Sequence, residues 1–431
     1  SNGPRPERAG RVLLAATSTF GLESLVADEL LALGVEELSV ENGQVRWWST
    51  PEQLVRACLE LRVAERVLLV LGETPPSLVV DDFEVLYQLA RRVDWASLAA
   101  KDTMFHVVGR SVDSRITSVP ACQRVVKRAI IDAMRQRHGD IVFPETGPEM
   151  RIEIALLRDR ATLTLDATGA ALHKRGYRRE QGEAPLKETL AAGILRLARY
   201  PQRSEHPLVD PCCGSGTFLI EGAQMALGIA PGLHRDFQAE HWGLLPAELW
   251  REARGTAMAR AEAALRTDAR HLRILGRDAD PSMVALARRV AADAGLGEVL
   301  RFEVGRLEDF TSEESFGLVV CNPPYGERIQ PLGERIAEQY ARRDGAPRGR
   351  AGGERSAEDP RAVEELYRAM GRVYSGLDRW SWFTLTTHEG FEELFGQRAS
   401  KKRKLFNGNL KCWLYQHFGP LPRRGSPVRA Q

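Results

Sequence analysis

The sequence predicts an α/β protein: a doubly wound, mostly parallel sheet in the C-terminal half, preceded by two smaller α+β regions. Three observations carry this expectation. The chain has 431 residues, against roughly 100–200 per domain, so two or three domains are expected. From about residue 184 onward, short and strongly apolar segments alternate with helical ones, which is the pattern of a parallel sheet wound by helices. Before that point the pattern changes twice, near residues 62 and 168. Hydrophobic residues make up 43% and charged residues 27%, ordinary values for a packed chain. They exclude a mostly disordered protein, a collagen-like fibre and a disulfide-stapled miniprotein.

The first region, 1–62, opens with strand-like RVLLAATST. In GLESLVADELLALG, Leu22, Leu25, Val26, Leu30 and Leu33 fall at helical spacing, and Gly34 is a stop signal. Short strands follow at ELSVEN and QVRWWS, then a helix at PEQLVRACLEL. The second region, 63–168, contains strand ERVLLVLGE, helix FEVLYQLARRV and strand MFHVVGR. A long helix is expected from Ser118, a plausible N-cap, with Pro120 suited to its first turn. Val125, Ala129, Ile130, Ile131, Ala133 and Met134 are its candidate core residues. MRIEIALLRDRATLTLDATG reads as a hairpin around Asp159.

A linker, 169–184, leads into the third region, 185–420. PLKETLAAGILRLARY is a helix. PLVD, RILGRD, VLRFEVG, FGLVVCNPP and WSWFTLTTH are strands, and PSMVALARRVAADAG is one of the helices between them. SKKRKLFNGNLKCWLYQHFG predicts an antiparallel hairpin about Asn407-Gly408 at the sheet edge. Residues 331–362 are rich in Gly, Arg and Ala and lack periodicity, so a mobile insertion is expected there, and 421–431 is a tail. No internal repeat is evident.

Lys plus Arg total 60 and Asp plus Glu 58, so the net charge is only +2. The distribution is more informative. Arg110, Arg115, Arg124, Lys127, Arg128, Arg135 and Arg137 gather in one loop and one helix, against only Asp113 and Asp132. HKRGYRR (173–179) and KKRK (401–404) are further basic clusters. Clustered cations are the footprint expected for a phosphate backbone, although a charged helix face is also an ordinary solvated surface. No run approaches ~18 apolar residues, so no membrane span is expected. The opening SNGPRPERAG has no apolar signal core. Six cysteines without a C-x-x-C pair argue against zinc and a disulfide framework. The reducing cytoplasm fits best. His173, His206, His234 and His388 have no metal spacing, so no metal is expected.

Three motifs carry chemistry. In VDPCCGSGTFLIEGA (209–223), an apolar strand ends at Asp210, Gly214-Ser215-Gly216 makes a tight loop, and a helix starts at Thr217. Glycines let the backbone approach a ligand, and the helix start offers free N–H groups. No Gly-Lys-Ser/Thr follows, so it is not a Walker loop. Its form resembles the S-adenosylmethionine loop of class I methyltransferases. The adjacent Cys212 and Cys213 are better explained as small side chains beside a crowded loop than as a redox pair. In RILGRDADPSM (273–283), a strand ends at Asp278, an acid suited to a ribose diol. A helix N-cap role for Asp278 or Asp280 is the alternative.

The third motif is VVCNPPYGER (319–328). Two prolines remove two N–H donors, leaving as acceptors the Asn322 side-chain carbonyl and the Pro323 backbone carbonyl. Two acceptors can hold both hydrogens of an exocyclic amine on a planar base and aim the nitrogen lone pair at a methyl donor. Tyr325 offers a face for stacking. The alternative is a rigid Pro-Pro turn that meets no ligand.

These motifs, with LHKRGYRREQGEAPLKETLAAGIL and APGLHR, resemble the bacterial large-subunit ribosomal RNA guanine-N2 methyltransferases of the L type. The resemblance covers nearly the whole chain. It implies an N-terminal ferredoxin-like domain, a THUMP RNA-binding domain and a Rossmann-like class I methyltransferase domain using S-adenosylmethionine. Some members carry a second methyltransferase domain at the C-terminus; with the sequence ending at Gln431, that activity is not expected. The resemblance makes Asp210, Cys212, Gly214, Ser215, Gly216 and Thr217 cofactor contacts. It places Lys187, Glu188 and Thr189 over the methionine end, Asp278 on the ribose and Ala279 beside the adenine. Asn322, Pro323, Pro324 and Tyr325 would hold the base. The family's adenine-binding acid aligns with Arg306, so that role falls to Asp309, Glu308 or the backbone. The family's Asn-Ala after the second-strand helix is Val290-Ala291 here, so this chain has no asparagine to interact locally at that point.

The expected function is methylation of guanine N2 in 23S ribosomal RNA, free or in a pre-ribosomal particle. The base would flip into the Asn-Pro-Pro-Tyr site at a cost of a few kcal/mol. Arg110, Arg115, Arg124, Lys127, Arg128, Lys174 and Arg175 are the candidate RNA contacts. The alternatives are adenine-N6 methylation of DNA or RNA, guanine-N2 methylation of transfer RNA, and a non-catalytic RNA-binding assembly factor.

Overall fold

A computed structural model of the chain describes residues 10–139, 144–178, 186–200, 202–323 and 360–420. Pro324, Tyr325, the tail and nearly all of the expected 331–362 insertion lie outside the described residues. The chain forms two compact units: one holds the residues up to Gly176 with Ala230–Ala259, the other Tyr177–Ile229 with the residues from Arg260 onward.

The first unit is built on one seven-stranded sheet of order β2-β3-β1-β4-β7-β6-β5. Its strands are β1 (Val12–Thr17), β2 (Leu38–Glu41), β3 (Gln44–Ser49), β4 (Arg66–Glu73), β5 (Met104–Val112), β6 (Glu149–Leu157) and β7 (Arg160–Asp166). The sheet runs without a break across the domain boundary expected at residue 62, because β4 pairs with β1 on one side and β7 on the other. β6 alternates buried and half-buried residues. Arg158 and Asp159 turn the chain into β7 with φ of +50° and +60°, the backbone of a tight hairpin.

Helix α1 (Glu23–Ala32) is followed by α2 (Pro51–Glu60). The start of α2 is set by a reciprocal cap: Gln53 N donates to Thr50 Oγ1 at 3.3 Å and Thr50 N to Gln53 Oε1 at 3.2 Å. α3 is Phe83–Arg91, α4 Trp95–Leu98 and α5 Val119–His138. Ser118 holds the N-cap position of α5, but its side chain makes no capping bond. The core face of α5 is Cys122, Val126, Ala129, Ile130 and Met134, so the expected Val125, Ile131 and Ala133 sit at its margin.

The second unit is a seven-stranded sheet of order β10-β9-β8-β11-β12-β14-β13. β8 (Leu208–Asp210), β9 (Ile274–Asp278), β10 (Leu300–Val304), β11 (Leu318–Cys321) and β12 (Ser381–Thr386) are parallel to their neighbours in this run. β13 (Lys401–Asn407) and β14 (Leu410–His417) form the antiparallel edge. Its helices are α6 (Glu188–Leu197), α7 (Thr217–Ala226), α9 (Pro281–Asp293), α10 (Pro360–Ser375) and α11 (Phe391–Phe395), and α8 (Ala247–Thr267) spans the division at Ala259. α7 packs on β8, β9 and β10, and α9 on β9 and β10. Val319, Cys321, Tyr367, Met370, Trp380, Trp382, Phe391 and Tyr415 form a fully enclosed core.

One expectation is corrected here. Residues 230–259 belong with the first unit rather than with the region 185–420. Main-chain bonds tie them there: Gly232 N to Leu59 O at 2.9 Å, Ala239 N to Ala167 O at 3.1 Å and Gly243 N to Leu98 O at 3.2 Å.

Candidate active site

The chemistry-bearing motifs meet at the carboxyl ends of β9, β8 and β11, three adjacent strands of the second unit. Asp210 lies opposite Gly276, and Val209 opposite Val319, so Asp278 and Asn322 each follow two residues beyond the level of Asp210, one on either side. From β8 the chain proceeds to β9 and β10 on one flank, then crosses to β11 and β12 on the other. Open α/β sheets bind ligands at such a reversal of strand order.

The glycine loop is pinned to both strand ends. Asp210 is 2% exposed, and its Oδ1 accepts from Cys212 N at 3.1 Å. Cys213 N donates to Arg277 O and Gly216 N to Cys213 O, both at 2.8 Å. Gly214 N donates to Asp278 Oδ2 at 3.0 Å. Gly216 has φ +79°, a left-handed conformation that side chains resist. A Cβ there would stand 3.2 Å from the Phe302 ring. Helix α7 then starts at Thr217, as the motif predicts.

Asp278 also accepts from Asp280 N, through Oδ1, at 3.0 Å. The Ala279 N–H also acts on this carboxylate, and since a carboxylate has room for roughly four donors, Asp278 retains some capacity for a diol. The cap of α9 belongs to Asp280, which accepts from Ser282 N at 2.8 Å. Ala279 is exposed beside it.

Burial pushes the Asp210 carboxyl well above the usual carboxylate range, with Asp278 adding to the effect and the Cys212 N–H opposing it. Burial raises Asp278 as well, against the N–H bonds from Asp280 and Gly214. The site thus holds two acids whose charges are poorly solvated, and a cationic ligand would relieve both. Burial also raises the Cys212 and Cys213 thiols, so neither is poised as a thiolate.

Lys187 is the N-cap of α6, and its backbone N donates to Asn407 Oδ1 at 3.3 Å. Glu188 and Thr189 are buried. Glu188 Oε1 lies 3.0 Å from Arg178 Nε. Arg178 Nη2 in turn donates to Thr217 Oγ1 at 2.5 Å and Ser215 Oγ at 3.3 Å. Arg178 thus clamps the glycine loop to α6, a role absent from the sequence-based site. Its signal was the basic run HKRGYRR, whose members turn out to face different ways.

Asn322 is half-buried and Pro323 buried directly after β11. Asp309 ends a 3-10 turn, Leu307–Asp309, anchored by the buried Leu307. Glu308 is taken up by Arg306 at 3.0 Å, and the Asp309 side chain is exposed.

The basic residues of the first unit are mostly ion-paired. Arg110 Nε lies 2.9 Å from Glu153, Arg115 Nη1 3.5 Å from Asp81, Lys127 2.7 Å from Glu145 and Arg128 Nε 3.7 Å from Asp132. Arg124 and Lys174 are exposed. Arg175 corrects the expectation of an RNA contact. It is 3% exposed and donates to Leu172 O at 2.9 Å and Arg62 O at 2.7 Å, so its guanidinium is consumed in holding main chain. Among the described residues no group of His, Cys, Asp or Glu could hold a metal ion, and no helix is long and apolar enough to cross a membrane.

A doubly wound sheet with a glycine loop and acids at its strand ends, preceded by a mixed α+β sheet, defines the class I methyltransferase architecture with an N-terminal appendage. Comparison with known proteins narrows it. Residues 13–68 match an RlmL ferredoxin-like domain, 80–166 a THUMP domain and 175–339 an RMKL-like methyltransferase domain. The chain is 39% identical over 414 residues to the putative RNA methyltransferase YpsC of Bacillus subtilis, covering 95% of this chain and 97% of YpsC. It therefore belongs to the family of THUMP-bearing, RMKL-like methyltransferases. It is also 39% identical to the ribosomal RNA large subunit methyltransferase K/L of Stutzerimonas stutzeri, but spans only 52% of that protein. Among solved structures, a protein from Listeria monocytogenes described as a predicted N6-adenine-specific DNA methylase superposes with TM-score 0.80 at 38% identity, over 95% of this chain and 97% of that one. SMU.472, a putative methyltransferase complexed with SAH, superposes with TM-score 0.81 at 36% identity, over 96% of this chain and all of its own.

Proposed function

We propose that this protein is an S-adenosylmethionine-dependent RNA methyltransferase that methylates the exocyclic N2 of a guanine in 23S ribosomal RNA. The observation that carries this is the buried Asp210 and the half-buried Asp278, both bonded to a left-handed glycine loop, on the two strands beside the one that leads into Asn322-Pro323. The residues fit the cofactor. The loop admits close approach, Asp278 has acceptor capacity for a ribose, and an acid pair partly withdrawn from water favours a ligand bearing a sulfonium and an ammonium. Bound there, S-adenosylmethionine supplies an electrophilic methyl group. Lys187, Glu188 and Thr189 are proposed at its methionine end, Asp278 and Ala279 at its nucleoside, and Asp309 at the adenine amine.

The chain's own part in transfer is to position a base. The Asn322 side-chain carbonyl and Pro323 backbone carbonyl accept the two amine hydrogens, with Pro324 stiffening the turn and Tyr325 stacking the ring. No strong base is required, because the amine becomes acidic as it is alkylated and sheds its proton to solvent. In the first unit, Arg110, Arg115, Arg124, Lys127, Arg128 and Lys174 are proposed to hold flanking RNA. Their surface ion pairs are worth about 0–1 kcal/mol each, so phosphates can displace them.

Adenine N6 is the second reading, favoured by the description given to the Listeria relative. Both are tested by nucleoside mass spectrometry of 23S ribosomal RNA from cells lacking the protein. Loss of one N2-methylguanosine supports guanine, and loss of N6-methyladenosine supports adenine. Asn322→Ala is expected to abolish the restored mark, and an undiminished mark overturns the mechanism.

A further inference from the structure

The basic run Lys401–Lys404 takes no part in the chemistry above. It lies on β13, the edge strand. Cross-strand register sets Lys402 against Tyr415, Lys404 against Trp413, and Phe406 against Lys411. Strand alternation brings these six side chains to one face. Lys402 Nζ stands 4.5 Å from the Trp413 ring centre and 4.7 Å from that of Tyr415. Lys404 Nζ is 5.3 Å from Phe406, and Lys411 Nζ 5.0 Å from Trp413. Tyr415 is sealed in the core, Trp413 and Phe406 are half-buried, and the three lysines are exposed.

The location matters as much as the composition. Trp413 pairs with Thr386, the last residue of β12. Lys404, Phe406, Lys411 and Trp413 therefore lie at or beyond the carboxyl end of the parallel sheet. Asp210, Asp278 and Asn322 occupy that same end. The hairpin tip also meets the start of α6, where Asn407 accepts from Lys187 N.

We propose that this hairpin face is a second RNA-docking surface, which holds single-stranded nucleotides flanking the target base. The proposal rests on the reading that the substrate is RNA. Cations take phosphates while planar rings stack splayed bases, the combination that single-strand binders use. Lysines on an edge strand also guard against strand pairing, but that task needs no half-exposed rings beneath the cations. The acid near the face, Glu389, reaches Lys411 at 3.1 Å with both side chains exposed, a pair that a phosphate can replace.

The test uses the full chain and a fluorescein-labelled 12-nucleotide single-stranded RNA, followed by anisotropy across a salt series. The double variant Lys402→Gln/Lys404→Gln is expected to weaken binding at least about tenfold and to flatten the slope of log K against log salt by about 1.4, or about 0.7 for each phosphate no longer neutralised. Phe406→Ala weakens binding by about tenfold and Phe406→Tyr restores it, while S-adenosylmethionine affinity and Tm stay at wild-type values. Unchanged RNA affinity and slope in the double variant overturn the surface while leaving the proposed function intact. An equal loss for duplex DNA of the same sequence also overturns it. Wild-type protein that holds no RNA at any salt concentration removes both readings.

Discussion

At the scale of single residues, the site is organised by charges that the fold keeps from water. Asp210 and Asp278 both have folded-state pKa values raised by burial. A carboxyl of this kind contributes stability below its unfolded pKa, about 4, and loses that contribution as pH rises through the folded value. At neutral pH the ionised pair is therefore a cost to the fold. Asp210→Asn, which keeps an acceptor for Cys212 N, is expected to raise Tm at pH 7 by a few degrees (about 2–4 °C per kcal/mol for a domain of this size). The gain fades toward pH 4, and titration calorimetry finds S-adenosylmethionine binding lost. A Tm at or below wild type at pH 7 contradicts this account. Wild-type affinity for the cofactor should likewise fall with acidification above the ordinary carboxylate range, as Asp278 takes up its proton. Arg178 permits a complementary prediction. Arg178→Ala removes the guanidinium between Glu188 and the Ser215–Thr217 hydroxyls, and cofactor affinity should fall by about tenfold, the worth of one charged hydrogen bond. Arg178→Lys recovers this only in part, because an ammonium lacks the fork that spans both partners. The positions of Asp210 and Asp278 at strand ends against the glycine loop were legible because each closes a strand just before a turn or helix start. Arg175 and Arg178 were not, because a basic run does not reveal which of its members turn inward.

At the scale of elements, legibility followed periodicity. β6 and β7 alternate strictly, and the strands around the site are apolar runs closed by Asp210, Asp278 and Asn322, so each was readable with its boundary. The hairpin turn at Asn407-Gly408 was readable from its two residues, and Gly408 has φ +64°. Pairing partners were harder. β5 runs parallel to β6, and nothing local in MFHVVGR specifies that choice. The α5 core face was read in part: Ala129, Ile130 and Met134 are buried, while Cys122 and Val126 take the places expected of Val125, Ile131 and Ala133, since the mixture of Val, Ala and Ile permits two neighbouring stripes. The glycine turn before α7 offers the sharpest element-scale prediction. Gly216→Ala must accept a left-handed backbone, at about 1–2 kcal/mol, and must also displace the Phe302 ring 3.2 Å away. The loop is expected to shift, lowering Tm by several degrees and weakening S-adenosylmethionine binding at least tenfold. Unaltered calorimetric affinity would show that the loop does not touch the cofactor.

At the scale of the whole molecule, the unexpected feature is the excursion of Ala230–Ala259 from the methyltransferase half into the first unit. Local sequence periodicity does not say which unit such a segment joins: its buried Leu233, Phe237, Trp242 and Trp250 would suit either core, and main-chain bonds and one arginine add to the attachment. Arg235 is 8% exposed. Its guanidinium donates to the carbonyls of Thr168 at 2.8 Å, Ala171 at 2.7 Å and Lys174 at 3.0 Å, and also to that of Ala170. Burial lowers its pKa to about 10, so it remains a cation at neutral pH and all these bonds are charge-assisted. Arg235→Ala leaves four carbonyls without this donor, that of Thr168 buried and the others part-buried; an acceptor left unmet and out of reach of water costs about 1–3 kcal/mol. Partial relaxation leaves an expected loss on the order of 3–5 kcal/mol, a large share of a typical 5–15 kcal/mol total. Hydrogen exchange should locate the damage: amides of Ala167–Lys174 and Gly232 lose protection first. Arg235→Lys is expected to fare little better, since a single ammonium cannot reach carbonyls spread around a planar fork. If Arg235→Ala melted and exchanged like wild type, the excursion would be held by its main-chain bonds and buried apolar side chains, and the arginine would be a passenger.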